Sequence, residues 1–241
     1  MPSSPATPEP SAAPETVRLQ GVGFGYATSG AVLRDVNLIL PRGSFHFLTG
    51  PSGAGKSSLL KLLTLAARPR AGTIHLFGQD VTRIARRDAP ALRRRMGVVF
   101  QDFRLLDHLS AFDNAALPLR LAGETRDQHA GDVEEMLRWV GLGARMQARP
   151  PELSGGEKQR LAIARAVIGQ PGLILADEPT GSVDAAMGER LLRLFQSLNR
   201  LGATVLIASH DQGLAERSGA GLLRLEAGRL TGRATMEPIA A

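Results

Sequence analysis

The chain has 241 residues, 43% of them hydrophobic, which is enough for one α/β domain with a substantial core and an inserted subdomain. It contains no cysteine, which excludes a disulfide framework and thiol chemistry. No run reaches the ~18 apolar residues of a membrane span, and the first residues lack the apolar core of a signal peptide, so a cytosolic location is expected.

Basic residues outnumber acidic ones and give a net charge of +6, and nearly all of them are arginine. Most arginines are expected to be scattered and solvated. One dense group, Arg86-Arg87 with Arg93-Arg94-Arg95, is interpreted as a patch for a lipid headgroup or a partner. Aromatic residues make up only 4% of the chain, so stacking on nucleic-acid bases is not expected.

The first part of the chain alternates between polar and apolar residues after a Pro-, Ser- and Ala-rich start. Residues 1–15 cannot bury a core and are predicted to be a disordered extension. A helix is expected at residues 89–95. Short alternating runs predict strands at residues 17–19, 36–40, 45–49, 72–78 and 96–100.

A glycine-rich turn joins the strand at residues 45–49 to an apolar helix at residues 58–63. Such a turn lets backbone N–H groups and the positive end of the helix dipole meet a phosphate group. Lys56 supplies a charge near the β- and γ-phosphates, and Ser57 supplies a hydroxyl for Mg²⁺. The alternative, a turn without a ligand, is disfavoured by the spacing and the strand–helix context. The predicted nucleoside triphosphate-binding residues are Gly50, Pro51, Ser52, Gly53, Ala54, Gly55, Lys56, Ser57 and Ser58.

The pattern becomes helical between residues 102 and 152. Amphipathic helices are expected at residues 114–121 and 126–140, before glycines and a Pro-Pro pair break the periodicity. One face of the second helix carries Val133, Met136, Leu137 and Val140. We interpret residues 102–152 as an inserted helical subdomain.

Strand and helix signals alternate in the second half of the chain, which implies a mostly parallel sheet. The domain is therefore expected to cover residues 16–230, and residues 231–241 are expected to form a loose tail. The elements expected here are a strand at Leu173–Asp177, a helix at 186–200, a strand at 204–210 and a hairpin at 222–230.

Two acids end the apolar strand at Leu173–Asp177. Ligands of parallel sheets bind at the carboxyl ends of the strands, so both carboxylates belong where the phosphates are expected. Asp177 is predicted to hold Mg²⁺, and Glu178 to face the attacking water as general base or orienter. A strand-end acidic pair without function is the alternative, which the neighbouring glycine-rich turn disfavours.

A second predicted anion site lies at residues 153–157, Leu-Ser-Gly-Gly-Glu. Ser154 can cap a helix that starts there, and the two glycines allow the backbone to approach an anion closely. An ordinary capped helix is the alternative. The chain therefore has two helix N-termini suited to phosphate.

Five motifs in chain order resemble those of the ATP-binding-cassette (ABC) ATPases: the glycine-rich turn, Gln101, residues 153–157, residues 175–178 and His210. This resemblance covers nearly all of residues 16–230 and implies an α/β P-loop NTPase fold of the ABC type, with an antiparallel β subdomain beside the mostly parallel sheet. It also implies a head-to-tail homodimer that closes around two ATP molecules and opens on hydrolysis. In such a dimer, the residues that bind the ATP of the second copy are Ser154, Gly155, Gly156 and Glu157.

The same resemblance implies roles for further residues. Tyr26 would stack on adenine, Gln101 would contact Mg²⁺ or the attacking water, and His210 would hold the γ-phosphate. Asp184 would lie in the loop that crosses the dimer interface. Two alternatives remain: either Phe24 or Tyr26 could be a core residue, and His210 could be a strand-end histidine with local hydrogen bonds.

A narrower resemblance is to the FtsE family of bacterial cell-division ATPases, above all in the Gln-Asp-Phe-Arg-Leu-Leu run at residues 101–106. The chain departs from that family at Ser58, where threonine is common, at Ser182-Val183, where Asn-Leu is usual, and at residues 107–110. These departures leave the ATPase chemistry intact. They keep the lipoprotein-release and macrolide-export ATPases as an alternative.

The FtsE resemblance implies a membrane partner, FtsX, and a position at the cytoplasmic face of the inner membrane. ATP-driven motion would then activate cell-wall hydrolysis rather than pump a solute. Phe103, Leu105 and Leu106 would line a groove for the partner, although Leu105 and Leu106 could equally be core. An ABC ATPase acting on DNA or ribosomes is disfavoured, because the chain has neither a long coiled-coil insertion nor a second cassette.

Overall fold

The computed structural model describes residues 14–26 and 30–231, which form two β-sheets and the helices packed around them. The strands are β1 (Glu15–Tyr26), β2 (Gly30–Pro41), β3 (Phe45–Thr49), β4 (Ala71–Leu76), β5 (Gln79–Asp80), β6 (Met96–Val99), β7 (Leu173–Asp177), β8 (Thr204–Ala208), β9 (Gly221–Glu226) and β10 (Arg229–Thr231). The α-helices are α1 (Lys56–Leu63), α2 (Ala89–Arg93), α3 (Ala111–Ala122), α4 (Arg126–Trp139), α5 (Gly155–Val167), α6 (Ala185–Arg200) and α7 (Gln212–Arg217).

The smaller sheet is antiparallel and has the strand order β2-β1-β4-β5. Its inner face consists of alternate apolar residues such as Val17, Leu19 and Val36, which are fully buried. The period-two pattern of the sequence is the pattern of a sheet with one buried face. The predicted antiparallel β subdomain is confirmed.

The larger sheet has the order β10-β9-β3-β8-β7-β6, and all of its pairings are parallel except that of β10 with β9. Every residue of β3 and β8 is buried, because helices cover both faces. Leu59 of α1 packs on one face and Phe195 of α6 on the other. The predicted mostly parallel sheet is confirmed.

Helices α3 and α4 pack with α5 around a third apolar cluster, which includes Ala115, Val133, Leu137 and Leu161. The predicted apolar face of α4 is the buried one. Helix α3 starts three residues before the predicted position, because Ser110 caps it and accepts a hydrogen bond from the Asp113 N–H at 3.0 Å.

Several elements differ from the sequence predictions. The first strand begins at Glu15, inside the stretch predicted to be disordered, and residues 1–13 lie outside the described residues. Likewise β10 includes Thr231, and residues 232–241 lie outside. Helix α7 was not predicted, because six residues do not establish a helical period. In the described ranges, no helix has the length and apolar character of a membrane span.

Candidate active site

The carboxyl ends of β7 and β8 and the start of α1 surround a cavity of about 610 Å³, which is in the size range of small-molecule binding sites. The glycine-rich turn forms one wall, and the two acids at the end of β7 form the other. The structure therefore brings together residues that lie far apart in sequence. The predicted site residues on its walls are Tyr26, Ser52, Gly53, Ala54, Gly55, Lys56, Ser57, Ser58, Gln101, Asp177, Glu178 and His210.

Two glycines of the turn are favoured by the protein's own backbone geometry. At Gly50, with φ of +147°, an added Cβ would lie 2.1 Å from the carbonyl oxygen of Leu225. At Gly55, with φ of +108°, it would lie 2.8 Å from Leu33 Cδ2. Glycine at these positions is predicted to allow the close approach of an anion. The structure adds that a side chain at Gly50 would collide with the backbone of β9, and that both positions have positive φ angles, which L side chains rarely adopt.

Lys56 is held across the mouth of the turn. Its Nζ donates to the carbonyl oxygen of Gly50 at 2.6 Å and to that of Pro51 at 3.3 Å. Gly50 and Pro51, both predicted to bind nucleotide, are not on the cavity wall and instead contact the lysine through their backbone. The ammonium group is thus placed beside the N–H groups that open α1, where a phosphate would meet both.

Asp177 and Ser57 face each other in the cavity. Burial raises the pKa of the Asp177 carboxyl, and the neighbouring Glu178 raises it further, whereas a hydrogen bond from Ser57 and the charge of Lys56 oppose this shift. The folded chain therefore holds a partly desolvated carboxylate whose charged form is disfavoured in the protein alone. A cation would reverse this penalty.

Glu178 and His210 form the other end of the cavity. His210 Nδ1 lies 2.9 Å from Glu178 Oε2, and the Ser209 hydroxyl lies 3.4 Å from the same oxygen. The histidine side chain is 75% exposed and that of Glu178 only 16%. The contact with Glu178 is a local one, but the exposed ring also borders the cavity, so it can reach a ligand.

The backbone of Glu178 is strained. Its φ is +51°, in the left-handed region that residues with a Cβ rarely adopt. Its N–H donates to the carbonyl oxygen of Ala208 at 2.9 Å, which fixes the turn after β7. Strain of this kind is commonly found at functional sites, where the surrounding structure maintains it.

The alternatives for Phe24 and Tyr26 are resolved by burial. Phe24 is 8% exposed and belongs to the core, whereas Tyr26 is 38% exposed and borders the cavity. The two rings meet edge to face with centroids 5.1 Å apart. The Tyr26 hydroxyl accepts from Lys61 Nζ at 3.1 Å, and hydrogen bonds from Ser58 and Lys61 lower its pKa.

Residues 154–157 start α5 but are not on the walls of this cavity. Ser154 accepts a hydrogen bond from the Glu157 N–H, and Glu157 accepts one from the Ser154 N–H at 2.8 Å, a capping box that lowers the Glu157 pKa. Ser154 and Gly155 are exposed. Asp184 also lies off the cavity walls and caps α6 through the Met187 N–H at 2.8 Å. These predicted residues are therefore available to another molecule.

Four residues on the cavity wall were not among the predicted site residues: Val32, Gln159, Gly181 and Ser182. Gln159, on α5, is 1% exposed and reaches the cavity wall, and its buried Nε2 has no hydrogen-bond partner among the described residues. Its neighbours on the wall include Gly181 and Ser182. Sequence spacing gave no signal for it, because a polar residue five positions into a helix normally faces solvent.

A family model described as "ABC transporter" matches residues 33–181, more than half of the chain. The chain belongs to the ABC transporter ATPase family. It is 45% identical to the cell division ATP-binding protein FtsE of Escherichia coli strain K12, over 90% of this chain and 97% of that protein. The identity to FtsE of Mycobacterium tuberculosis is 41%, over 82% of this chain and 86% of that protein.

Two solved structures have the same fold as this ABC ATPase. A dimeric structure of the ABC transporter cassette MJ0796 matches with a TM-score of 0.85 and 32% identity, over 89% of this chain and 96% of that one. A dimeric post-hydrolysis state of MJ0796 with ADP and Pi matches equally well, over 90% and 98% of the two chains. The predicted P-loop fold of the ABC type is confirmed, and the chain is an ATP-binding protein with ATPase activity.

Proposed function

We propose that two copies of this ABC ATPase close around two ATP molecules and drive a membrane partner in bacterial cell division. The observation that supports this proposal most directly is the incomplete cavity. One copy supplies the glycine-rich turn, the acids and His210, whereas its capped helix start at Ser154 is not on the wall of its own cavity. A second copy, related to the first by two-fold symmetry, would place its own helix start at Ser154 over the phosphates bound by the first copy. The same symmetry would complete the site of the second copy.

The proposed phosphate ligands are the N–H groups of residues 52–58 and the ammonium group of Lys56. Tyr26 would stack on the adenine. Ser154, Gly155, Gly156 and Glu157 of the partner copy would cover the γ-phosphate, and Asp184 would lie at the interface. Because these interface residues are exposed or half-buried in the single chain, they can be covered without unfolding any element.

The oxygen donors of Ser57, Gln101 and Asp177 fit Mg²⁺, which prefers oxygen ligands. No group of three or more His, Cys, Asp or Glu in residues 14–26 and 30–231 could hold a metal ion alone, so the ion would share its coordination with phosphate and water. When bound, Mg²⁺ neutralises charge on the phosphates. Glu178 would accept the proton of the attacking water, and His210 would hold the γ-phosphate.

Replacing Asp177 with asparagine should raise the Tm of the protein while reducing ATP hydrolysis at least ~100-fold. Asparagine keeps an oxygen for the hydrogen bond from Ser57 but removes a charge that burial disfavours. Differential scanning fluorimetry without nucleotide and a phosphate-release assay measure the two effects. A lower Tm would show that the carboxylate stabilises the fold. The exposed Asp127→Asn on α4 is the control.

A groove of about 540 Å³ between the sheet edge and the helical cluster is the proposed docking site for the membrane partner. Leu106 lies on its wall, but Phe103 and Leu105 do not, and Leu105 packs against the helical cluster. This contact supports the core alternative for Leu105. Apolar groove residues are accompanied by four arginines, Arg93, Arg94, Arg104 and Arg165.

The charge of the groove predicts the chemistry of the partner segment. Arg94 is exposed and has no salt bridge among the described residues, whereas Arg93 donates to the carbonyl oxygen of Leu65 at 2.8 Å. Arg95 lies over the Phe77 ring, with its guanidinium 3.9 Å from the ring centroid. The adjacent arginines of the predicted patch therefore have different contacts. We expect a short amphipathic helix with acidic residues at its ends.

The variants Leu106→Asp and Arg94→Glu should each reduce co-purification of the membrane protein at least about tenfold, which corresponds to ~1.4 kcal/mol. Both place negative charge in a groove that we expect to receive acidic residues. ATP binding by the isolated chain should be unchanged. Leu121→Asp, at a 65% exposed position outside the groove, is the matched control. Equal recovery of the partner with all three variants would reject the groove.

The cell-division role is tested by depletion of this chain in the bacterium that encodes it. We expect filamentous cells, restored by the wild type and not by Glu178→Gln, and co-purification of an FtsX-like protein from the inner membrane. Normal septation with retention of lipoproteins in the inner membrane would instead assign the chain to a lipoprotein-release complex. Either result leaves the ATPase chemistry in place.

A further inference from the structure

The segment that follows Gln101 has an unusual backbone. Phe103 and Arg104 both have positive φ angles, +59° and +49°, and neither is glycine. Two consecutive side-chain-bearing residues in the left-handed region are disfavoured by contacts of the Cβ atoms with the backbone. Such a backbone persists only where surrounding contacts stabilise it.

Arg165 of α5 provides that restraint. Its guanidinium donates to the carbonyl oxygen of Phe103 at 2.7 Å and to that of Arg104 at 2.6 Å. The two acceptors belong to the two strained residues. In the described part of the chain, Arg165 forms no salt bridge, and burial lowers its pKa. This half-buried cation thus has backbone carbonyls rather than a carboxylate as its partners.

Local contacts alone do not explain how the segment is placed. The Arg104 guanidinium lies 4.0 Å from the centroid of the Phe100 ring and 3.2 Å from an Asp102 oxygen, so both contacts stay within the segment. These contacts can fix its shape but not its position relative to the helices. Asn114 of α3 accepts a hydrogen bond from the Leu106 N–H at 2.9 Å and so holds the end of the segment. The two hydrogen bonds from Arg165 connect the strained residues themselves to a separate element, α5.

That element is the helix whose first turn is the exposed capped start at Ser154. Arg165 lies eleven residues further along α5, about 16 Å at 1.5 Å per residue. We propose that Arg165 is a positioning residue that fixes Gln101 in the nucleotide cavity relative to the start of α5. This inference rests on the proposed dimer, because the start of α5 meets nucleotide only there. In the dimer, closure of the start of α5 over one ATP molecule would then shift Gln101 at the other ATP site.

The role is tested by Arg165→Lys and Arg165→Met, measured for kcat, KM for ATP and Tm. Lysine keeps the charge but cannot donate to both carbonyls in the same fork geometry. We expect Arg165→Lys to lower kcat about 10-fold to 100-fold, as a misplaced catalytic group does, with KM within about twofold. Arg138→Met, an exposed arginine bonded to Glu134 at 2.6 Å, should leave kcat unchanged.

A double-mutant cycle separates positioning from a structural role. In a Gln101→Ala background, Arg165→Lys should change kcat by no more than about twofold, because the group that it positions is gone. An equal loss of kcat in both backgrounds, or no loss in either, would overturn the inference. If Arg165→Met does not fold, Arg165→Lys still provides the cycle.

The variant Glu178→Gln, with Arg165 intact, tests the proposed dimer separately from the role of Arg165. That variant should run as a dimer with ATP in size-exclusion chromatography. A monomer there would contradict the proposed dimer itself. A dimer, combined with wild-type kcat for Arg165→Lys, would contradict only the role of Arg165.

Discussion

Replacing Lys56 with alanine should abolish ATP binding at physiological nucleotide concentrations. The ammonium group is fixed by the carbonyl oxygens of Gly50 and Pro51 beside the N–H groups of α1. Loss of a charge from such a preorganised phosphate site costs about 2–5 kcal/mol, or roughly 30-fold to several thousand-fold in Kd. No other lysine or arginine is on the wall of this cavity, so the described residues offer no substitute cation there.

Isothermal titration calorimetry with ATP and Mg²⁺ measures the effect. Lys61→Ala is the matched control, because this lysine lies on the same helix but contacts Tyr26 instead of the turn. We expect at most a threefold or so change for Lys61→Ala, typical of an exposed contact. Micromolar affinity in Lys56→Ala would contradict the assignment of the turn as the phosphate site.

Replacing Glu178 with glutamine should separate binding from hydrolysis. Glutamine has nearly the same shape but cannot accept a proton from water, so kcat should fall about 100-fold to 10,000-fold. ATP affinity should change little, because Glu178 contacts His210 and Ser209 rather than the turn. The closed dimer should therefore accumulate with ATP bound.

Phosphate release under single-turnover conditions and size-exclusion chromatography measure these two effects. The exposed Glu135→Gln on α4 should hydrolyse ATP at the wild-type rate. Near-normal turnover by Glu178→Gln would remove Glu178 from its proposed role. Loss of ATP binding would indicate that the strained backbone after β7 had rearranged.

Local patterns in the sequence predicted most of the fold. The apolar run at Leu173–Asp177 has the bounds of β7, and the predicted strand at residues 45–49 has those of β3. Burial on both faces makes such strands continuously apolar, so they are visible without any partner. Strand β1 is longer than predicted, because register shifts between Leu19 and Tyr26 hide its alternation.

The site residues, too, were predictable only where the local sequence determines their position. Lys56, Asp177 and Glu178 were identified because each lies at the end of a strand or the start of a helix, positions that short-range spacing reveals. Gln159 and Arg165 were not identified from the sequence. Their functions depend on the cavity wall and on the carbonyl oxygens of Phe103 and Arg104, about sixty residues away, which periodicity does not encode.

The sequence by itself determined the ATP-binding chemistry, because the turn, the acids and their flanking elements are contiguous segments whose local geometry follows from residue type. Only the tertiary structure decided that Tyr26 rather than Phe24 is available to a ligand, and that residues 154–157 lie outside their own cavity. Both outcomes depend on how separate elements pack, because the burial of a side chain and the position of a helix start relative to a cavity are properties of that packing rather than of any one segment.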